Sequence, residues 1–392
     1  MILLTSSKSA SPNELSASPR LTRSMSVAPY AKRMKTVQDV IRDSKADFAL
    51  LTPSPSFQYL TGIHYEMRER LIALVITVDE PPQIVAPRFE ISNLSRLTWV
   101  KRFHPWDETD DPYSLVAKIA GPKKAGYSLL FDDSLPMGVY WSLERILGKV
   151  RKRASLTPEL DSMRIIKGQE EIAAMKDASR IIDGSIAKAM SQAHIGMTEL
   201  ELSQLVINEN VRSKAVPTFT TVQFGESTAL PHAESGPQTL RRGDMVLFDC
   251  GCSVTGYNTD ITRMAVAGEP TSEQEAVYSV VLEAQQAALN RISPGLTCGD
   301  ADGIARSVIE EHGYGQYFTH RLGHGVGLQV HEPPYLVKGN TLQLKPGMTH
   351  SVEPGIYLEG RFGIRIEDLV CVTETGRDVL TESSRELLMM DI

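Results

Sequence analysis

Apolar residues recur at helical spacing in "YAKRMKTVQDVIRDSKA", which begins at Tyr30, and that period predicts an amphipathic helix. The next segment, "DFALLTP", is a short apolar run between polar flanks and reads as a buried strand. "RLIALVITVDEPPQIVAP" reads as two strands about a proline turn. Helix and strand patterns alternate to about residue 155, which is the signature of an α/β domain. His64 and His104 stand alone in this region and read as structural.

Further along, "GQEEIAAMKDASRIIDGSIAKAM" places Ile172, Met175, Ala178, Ile182 and Ile186 on one helical face. A second helix opens in "GMTELELSQLVI", where Thr198 and Glu201 have capping-box spacing. The strand pair "DMVLFDCGCSVTGYNTDITRMAV" follows. The same order then returns. "SEQEAVYSVVLEAQQAALNRI" is a helix, with Ser272 and Glu275 spaced as another capping box, and "GLTCGDADGIARSVIEEHG" is a helix closed by Gly313 at the C-cap position. "MTHSVEPGIYLEGRFGIRIEDLVCV" is again a strand pair. "IGMTE" from Ile195 matches "PGLTC" from Pro294 at an offset of 99, and Asp249–Gly251 matches Glu353–Gly355 at 104. The repeat predicts a duplicated helix–helix–hairpin unit with internal pseudo-twofold symmetry.

Each hairpin carries two acids where apolar residues belong: Asp249 and Asp260 in the first, Glu353 and Glu367 in the second. Direct pairing about the turn "SVTG" (253–256) sets Asp249 opposite Asp260, and pairing centred on Gly360 sets Glu353 opposite Glu367. Pseudo-symmetry would then gather four carboxylates in a buried sheet. Two carboxylates ~5 Å apart repel by about 3 kcal/mol at an effective dielectric near 20. Shared divalent cations remove that cost. A carboxylate-rich site with one imidazole suits Mn²⁺ or a similar ion better than a thiolate-type zinc site. "HRLGHGVGLQVHEPP" adds three histidines. Gly323, Gly325 and Gly327 argue against a helix there, so His320 gains nothing from lying four residues before His324 and reads as structural or pocket-rim.

Composition narrows the class. A net charge of −7 argues against a general nucleic-acid binder. No apolar run is long enough to span a membrane. The cysteines Cys250, Cys252, Cys298 and Cys371 sit in apolar segments without CxxC spacing, which points to buried thiols in a reducing, cytoplasmic setting. Residues 1–29 are Ser-rich with a single acid, Glu14. They read as a disordered extension or as an early start (Met25 or Met34 would serve), since a transit peptide's amphipathic face is missing.

The blocks "FDCG…GYNTDITR", "GHGVGLQVHE", "EPGIY" and "GIRIED" resemble, in order, the signatures of the pita-bread metallopeptidases. That family comprises prolidase, aminopeptidase P, methionine aminopeptidase and creatinase. The first domain resembles the creatinase-type N-terminal domain. The implied fold is α/β (α+β): an extension at 1–29, a creatinase-like domain at 30–157 and a duplicated pita-bread catalytic domain at 165–392. The resemblance implies two divalent metal ions, Mn²⁺ foremost, with Co²⁺, Zn²⁺ or Fe²⁺ as alternatives. Asp249 would chelate one metal, Asp260 and Glu367 would bridge, and His324 and Glu353 would bind the second. All five ligands are present, which argues against the metal-free creatinase branch. His232 in "LPHAE" and His331 match substrate and proton-transfer positions, Tyr357 and Arg365 lie near the reaction centre, and Glu353 doubles as general base.

The implied activity is hydrolysis of the bond before proline in Xaa-Pro dipeptides or short peptides, by a metal-bridging hydroxide. The alternatives are an Xaa-Pro aminopeptidase acting on longer peptides, a metallo-lyase or small-molecule amidohydrolase, and a non-catalytic binding module. The resemblance also implies a homodimer, while the net charge and the lack of a long apolar run argue against nucleic acid and membrane as partners. One departure stands out. Some prolidases carry an arginine four residues after the second histidine, where it can meet a substrate carboxylate; here that position is Tyr335.

Overall fold

The computed structural model describes residues 27–392, so most of the extension expected at 1–29 lies outside the described residues. Helix α1 (Val27–Asp43) begins slightly earlier than the sequence period suggests and buries Met34, Val37 and Ile41. Strand β1 (Phe48–Leu51) and helix α2 (Pro55–Thr61) follow. The predicted strand pair forms β2 (Ala73–Ile76) and β3 (Gln83–Pro87), which run antiparallel. Helix α3 (Ile91–Leu97), β4 (Arg102–Trp106), α4 (Pro112–Ala120), β5 (Tyr127–Phe131), α5 (Met137–Leu147), β6 (Val150–Ser155) and α6 (Thr157–Arg164) complete the first half. Its sheet has the order β4-β3-β2-β1-β5-β6. The inner strands β1, β2, β3 and β5 read as near-continuous apolar runs because both faces are covered, whereas the edge strands β4 and β6 are more polar and more exposed. Met34, Ile41, Phe57 and Leu160 pack on one face, and Val116, Leu143 and Leu147 on the other.

The second half is built twice over. Helices α7 (Gln169–Met190) and α8 (Glu199–Arg212) precede strands β7 (Val216–Phe224), β8 (Met245–Val254), β9 (Tyr257–Asn258) and β10 (Ile261–Ala267). Helices α9 (Ser272–Arg291) and α10 (Cys298–Glu311) then precede β11 (Gly323–Gly325), β12 (Glu332–Leu336), β13 (Thr349–Val352), β14 (Gly355–Leu358), β15 (Phe362–Arg365), β16 (Asp368–Val372) and β17 (Arg377–Val379), with β18 (Leu388–Met390) last. One sheet runs β18-β10-β8-β7, with β9 beside β8; another runs β12-β11-β13-β16-β17; β14 and β15 pair alone.

The repeat survives at the level of single hydrogen bonds. Gly196 N donates to Leu240 O at 2.9 Å, and Gly295 N donates to Leu344 O at 2.9 Å. Isolated bridges join Thr198 to Thr239 and Thr297 to Gln343. Each pair is related by the offsets of 99 and 104 that the sequence displays. Both threonines are N-caps: Thr198 Oγ1 accepts from Glu201 N, and Thr297 Oγ1 accepts from Asp300 N.

Two local expectations move by a residue. The second capping box is Thr271 with Gln274, not Ser272 with Glu275; the Thr271 hydroxyl accepts Gln274 N, leaving Ser272 as the first helical residue. His312 takes the C-cap of α10, and Gly313 follows it with φ +81°. All four cysteines are free and buried. Among the described residues, no helix is long and apolar enough to cross a membrane.

Buried charge ties the two halves together. Arg33 of α1 meets Glu171 of α7 at 2.9 Å. Glu332 receives Arg164 at 2.6 Å and Lys167 at 2.8 Å, with side-chain exposures of 2%, 6% and 1%. Burial opposes the Glu332 anion, but these two cations outweigh it and hold its pKa below the ordinary carboxylate value.

Candidate metal centre

Strand parity decides which way the acids face. In β8, Val246, Phe248 and Cys250 pack among the α7–α8 residues, whereas Met245 and Leu247 join the core shared with the second repeat. Asp249 has the parity of Leu247 and so points toward that repeat. The β8–β10 register sets Asp249 opposite Thr262, not opposite Asp260. The cause is the turn. Val254 pairs with Tyr257, leaving Thr255 and Gly256 as a two-residue loop with φ +51° and +88°, a tighter connection than "SVTG" implied. Asp260 therefore sits two residues out of step with Asp249, still on the same face.

The second hairpin keeps its expected register. Val352 pairs with Asp368 and Gly355 with Arg365, so Glu353 and Glu367 lie level in the gap between those pairs. Pro354 interrupts the ladder here, and Glu367 N donates instead to Thr262 O at 3.2 Å in the other repeat. The pseudo-symmetric hairpins meet at this point.

The five side chains expected to bind metal converge. Oxygens of Asp249, Asp260 and Glu367 lie within 4.8 Å of one another, as do ligand atoms of His324, Glu353 and Glu367. His324 Nε2 is 3.2 Å from Glu353 Oε1 and 3.6 Å from Asp260 Oδ2. His324 Nδ1 donates to Gly325 O at 3.1 Å, which leaves Nε2 bare in the neutral ring. A bare nitrogen facing two carboxylates is repulsive unless a proton or a cation lies between them. Glu367 Oε1 is likewise buried with no hydrogen-bond partner among the described residues. These donors fit divalent cations.

Electrostatics says the same. Burial, and then the neighbouring acids, raise Asp260 and Glu367 well above ordinary carboxylates. Burial also raises Asp249, against the pull of Arg365. Glu353 differs: burial opposes its anion, but a proton on His324 Nε2, through its hydrogen bond and charge, brings the Glu353 pKa down, a role that a cation between the two would equally fill. Ser351 Oγ donates to Glu353 Oε1 at 2.9 Å and accepts from His324 N at 3.0 Å, fixing both residues.

Arg365 and Tyr357 are buried beside the acids. Arg365 reaches Asp249 Oδ2 at 2.5 Å, Tyr357 Oη at 2.9 Å and Thr262 Oγ1 at 3.0 Å, while Thr262 donates to Glu367 Oε2 at 2.8 Å. His320, read from sequence as structural or pocket-rim, joins this network: its Nε2 accepts from Tyr357 Oη at 2.8 Å, and its Nδ1 donates to Arg321 O at 2.7 Å. Thr262 and Ser351 were not anticipated. Correct hairpin register would have revealed Thr262 as the partner of Asp249; no signal in the sequence marks Ser351.

His331 stands at the rim, its ring edge-on to His324 with centroids 4.1 Å apart. Although exposed, it is pushed down to about 4 by the surrounding protein and then by the charge of His324. One of its nitrogens also lies within 4.8 Å of Asp260 and His324 donor atoms. His232 lies on the exposed stretch before Ala233, close enough for its charge to lower both His320 and His331. The glycines of "GHGVG" make room for all this. A Cβ on Gly323 would strike Ser351 O, one on Gly325 would strike Pro333 O, and one on Gly327 would strike the Glu332 carboxylate.

A buried, carboxylate-lined site between duplicated hairpins, behind a separate α/β domain, defines a metallohydrolase architecture. Residues 173–374 match the model of metallopeptidase family M24, and residues 33–166 match that of the creatinase/prolidase N-terminal domain. The chain belongs to metallopeptidase family M24 and is an enzyme of the peptidase class. It is 32% identical over 363 residues to a protein named Xaa-Pro dipeptidase from Lactobacillus helveticus, covering 91% of this chain and 98% of that one. The structure of recombinant prolidase from Thermococcus sibiricus superimposes with a TM-score of 0.87 at 33% identity, covering 94% of this chain and 100% of that one. Dipeptidase PepE from Mycobacterium ulcerans superimposes with a TM-score of 0.85 at 34% identity and the same coverage. The family implies divalent metal ions, and the donor set above suits them.

Proposed function

We propose that this enzyme hydrolyses the bond before proline in Xaa-Pro dipeptides, with Asp249, Asp260, His324, Glu353 and Glu367 holding two divalent ions. The observation that carries this reading is the bare His324 Nε2 facing Glu353 and Asp260, in a cluster whose buried acids have too few donors. The relatives named Xaa-Pro dipeptidase and prolidase supply the substrate class. When bound, such ions lower the pKa of a water toward 7 and polarise the substrate carbonyl.

The side chains have distinct roles. Glu353, held ionised beside His324, accepts the proton of the attacking water and passes it to the proline nitrogen. That delivery matters because the tertiary amide carries no hydrogen of its own. His331, neutral at pH 7, offers an N–H hydrogen bond to the developing oxyanion, with His232 beside it. Arg365 orients Asp249, and Tyr357 accepts from Arg365 and so holds that guanidinium in place. Mn²⁺, a homodimer, a cytoplasmic location and domain limits of 30–157 and 165–392 complete the proposal.

A panel of Xaa-Pro, Xaa-Pro-Yaa and Xaa-Ala peptides, each supplied with Mn²⁺ or Co²⁺, tests it. Cleavage of Xaa-Pro with Xaa-Ala spared is the expected result. Preference for Xaa-Pro-Yaa would reassign the enzyme to the aminopeptidases. No cleavage of any peptide would favour a lyase or small-molecule amidohydrolase.

A further inference from the structure

Buried and half-buried arginines elsewhere in the fold are matched to carboxylates: Arg33 to Glu171, Arg164 to Glu332, Arg263 to Asp368 and the half-buried Arg306 to Asp302. Arg321 is not. It is half-buried, and among the described residues no carboxylate pairs with it. Its guanidinium carbon lies 4.4 Å from the centroid of the Tyr335 ring. Tyr335 is the strand partner of His324, and it follows His331 by four residues. The stack therefore stands beside the metal centre. Its charge is among those felt by His331.

Leaving a guanidinium partly desolvated without an anion is unfavourable. Stacking on a phenol returns roughly 0.5–2 kcal/mol, and fixes the plane of the fork while leaving its N–H edges unspent. Such a fork matches a carboxylate in bidentate geometry. A zwitterionic dipeptide brings one charged group of each sign to the site. A fixed cation repels the α-amine and attracts the C-terminal carboxylate. In a longer peptide the same position holds a neutral amide, which cannot make the charge-assisted pair.

We propose that Arg321, oriented by Tyr335, receives the free C-terminal carboxylate of the substrate and so selects dipeptides over longer peptides. The inference rests on the Xaa-Pro reading above. It also explains Tyr335, whose ring carries the arginine supplied by the segment that leads into β11.

The test compares Ala-Pro with Ala-prolinamide, which lacks the carboxylate, in wild type, Arg321→Gln and Arg321→Lys. Arg321→Gln should lower the dipeptide-to-amide ratio of kcat/KM by about 10- to 100-fold, through KM rather than kcat. Arg321→Lys should restore part of the ratio. Inhibition by free proline, but not by prolinamide, should weaken in parallel. Equal losses on dipeptide and amide, or a fall confined to kcat, would overturn the proposal. So would a loss seen only with acidic first residues, which would assign Arg321 to the other end of the substrate. If wild type cleaves neither compound, the Xaa-Pro reading fails separately. Calorimetric binding of proline against prolinamide then decides the role of Arg321 without turnover: discrimination lost in Arg321→Gln supports it, and discrimination unchanged or absent refutes it.

Discussion

The two acid-bearing hairpins differ more than their sequences suggest. In the second, a loop centred on Gly360 keeps Glu353 and Glu367 level. In the first, the tight Thr255–Gly256 loop offsets Asp260 from Asp249 by two positions and brings Thr262 opposite instead. A slip of one residue would have turned Asp260 away from the site; a slip of two preserves the face. Thr262 then becomes useful, bonding Glu367 and Arg365 across the repeat boundary. Duplicated halves thus reach a common centre with different registers, because parity is preserved even where pairing is not.

The sharpest test of this equivalence removes one buried acid from each half. Asp260→Asn and Glu367→Gln should each lower bound metal, measured by elemental analysis, and cut hydrolysis by at least about 100-fold, the upper range for losing an outer partner of a metal ligand. Retained metal and activity in either variant would break the pairing of roles. His331→Ala should keep its metal while losing most turnover; loss of metal would make it a ligand, which its distance to Asp260 and His324 allows.

The halves also differ in how they grip the first domain. Glu332→Gln leaves Lys167 buried without an anion and Arg164 with only the distant Asp161 at 3.8 Å, and should cost about 3–5 kcal/mol in urea denaturation. The folded pKa of Glu332 is depressed, so its stabilising contribution is full above the unfolded value, about 4.3. It is lost as pH falls through the folded value. Wild type should therefore lose stability over that acidic window, and Glu332→Gln should lack this component. The turns come next. Both Gly256 and Gly360 have positive φ, but a Cβ on Gly256 would also strike the Gln58 amide, whereas Gly360 faces open space. Gly360→Ala should cost about 1 kcal/mol and Gly256→Ala a similar amount, because the Gln58 amide is the end of a flexible side chain that can move aside. Smallest are the matched caps, where Thr198→Ala and Thr297→Ala should each cost about 1 kcal/mol of thermal stability.

Much of this was legible in the chain because it depends on short-range pattern. Helical period exposed α7 and its buried face, and repeated offsets of 99 and 104 exposed the duplication down to individual backbone bonds. The acids stood out as charge in apolar surroundings. What stayed hidden depends on geometry that residue types do not encode. The loop could be two residues or four, and that choice moved Asp249 from Asp260 to Thr262. His320 looked idle because its neighbours forbid a helix, yet the hairpin returns Tyr357 to within 2.8 Å of it. The Arg321–Tyr335 stack spans strands whose pairing shifts register beside His324, and no spacing rule anticipates it.

The crowded glycines of "GHGVG" set a limit on how this enzyme can change. At Gly323, Gly325 and Gly327 even one added methyl meets backbone or the Glu332 carboxylate. That stretch is closed to gradual mutation, whatever its benefit to selectivity. Variation is channelled instead to its borders, where Arg321 and Tyr335 have side chains that can be exchanged. A new substrate preference in this scaffold would thus be acquired around an unchanging segment.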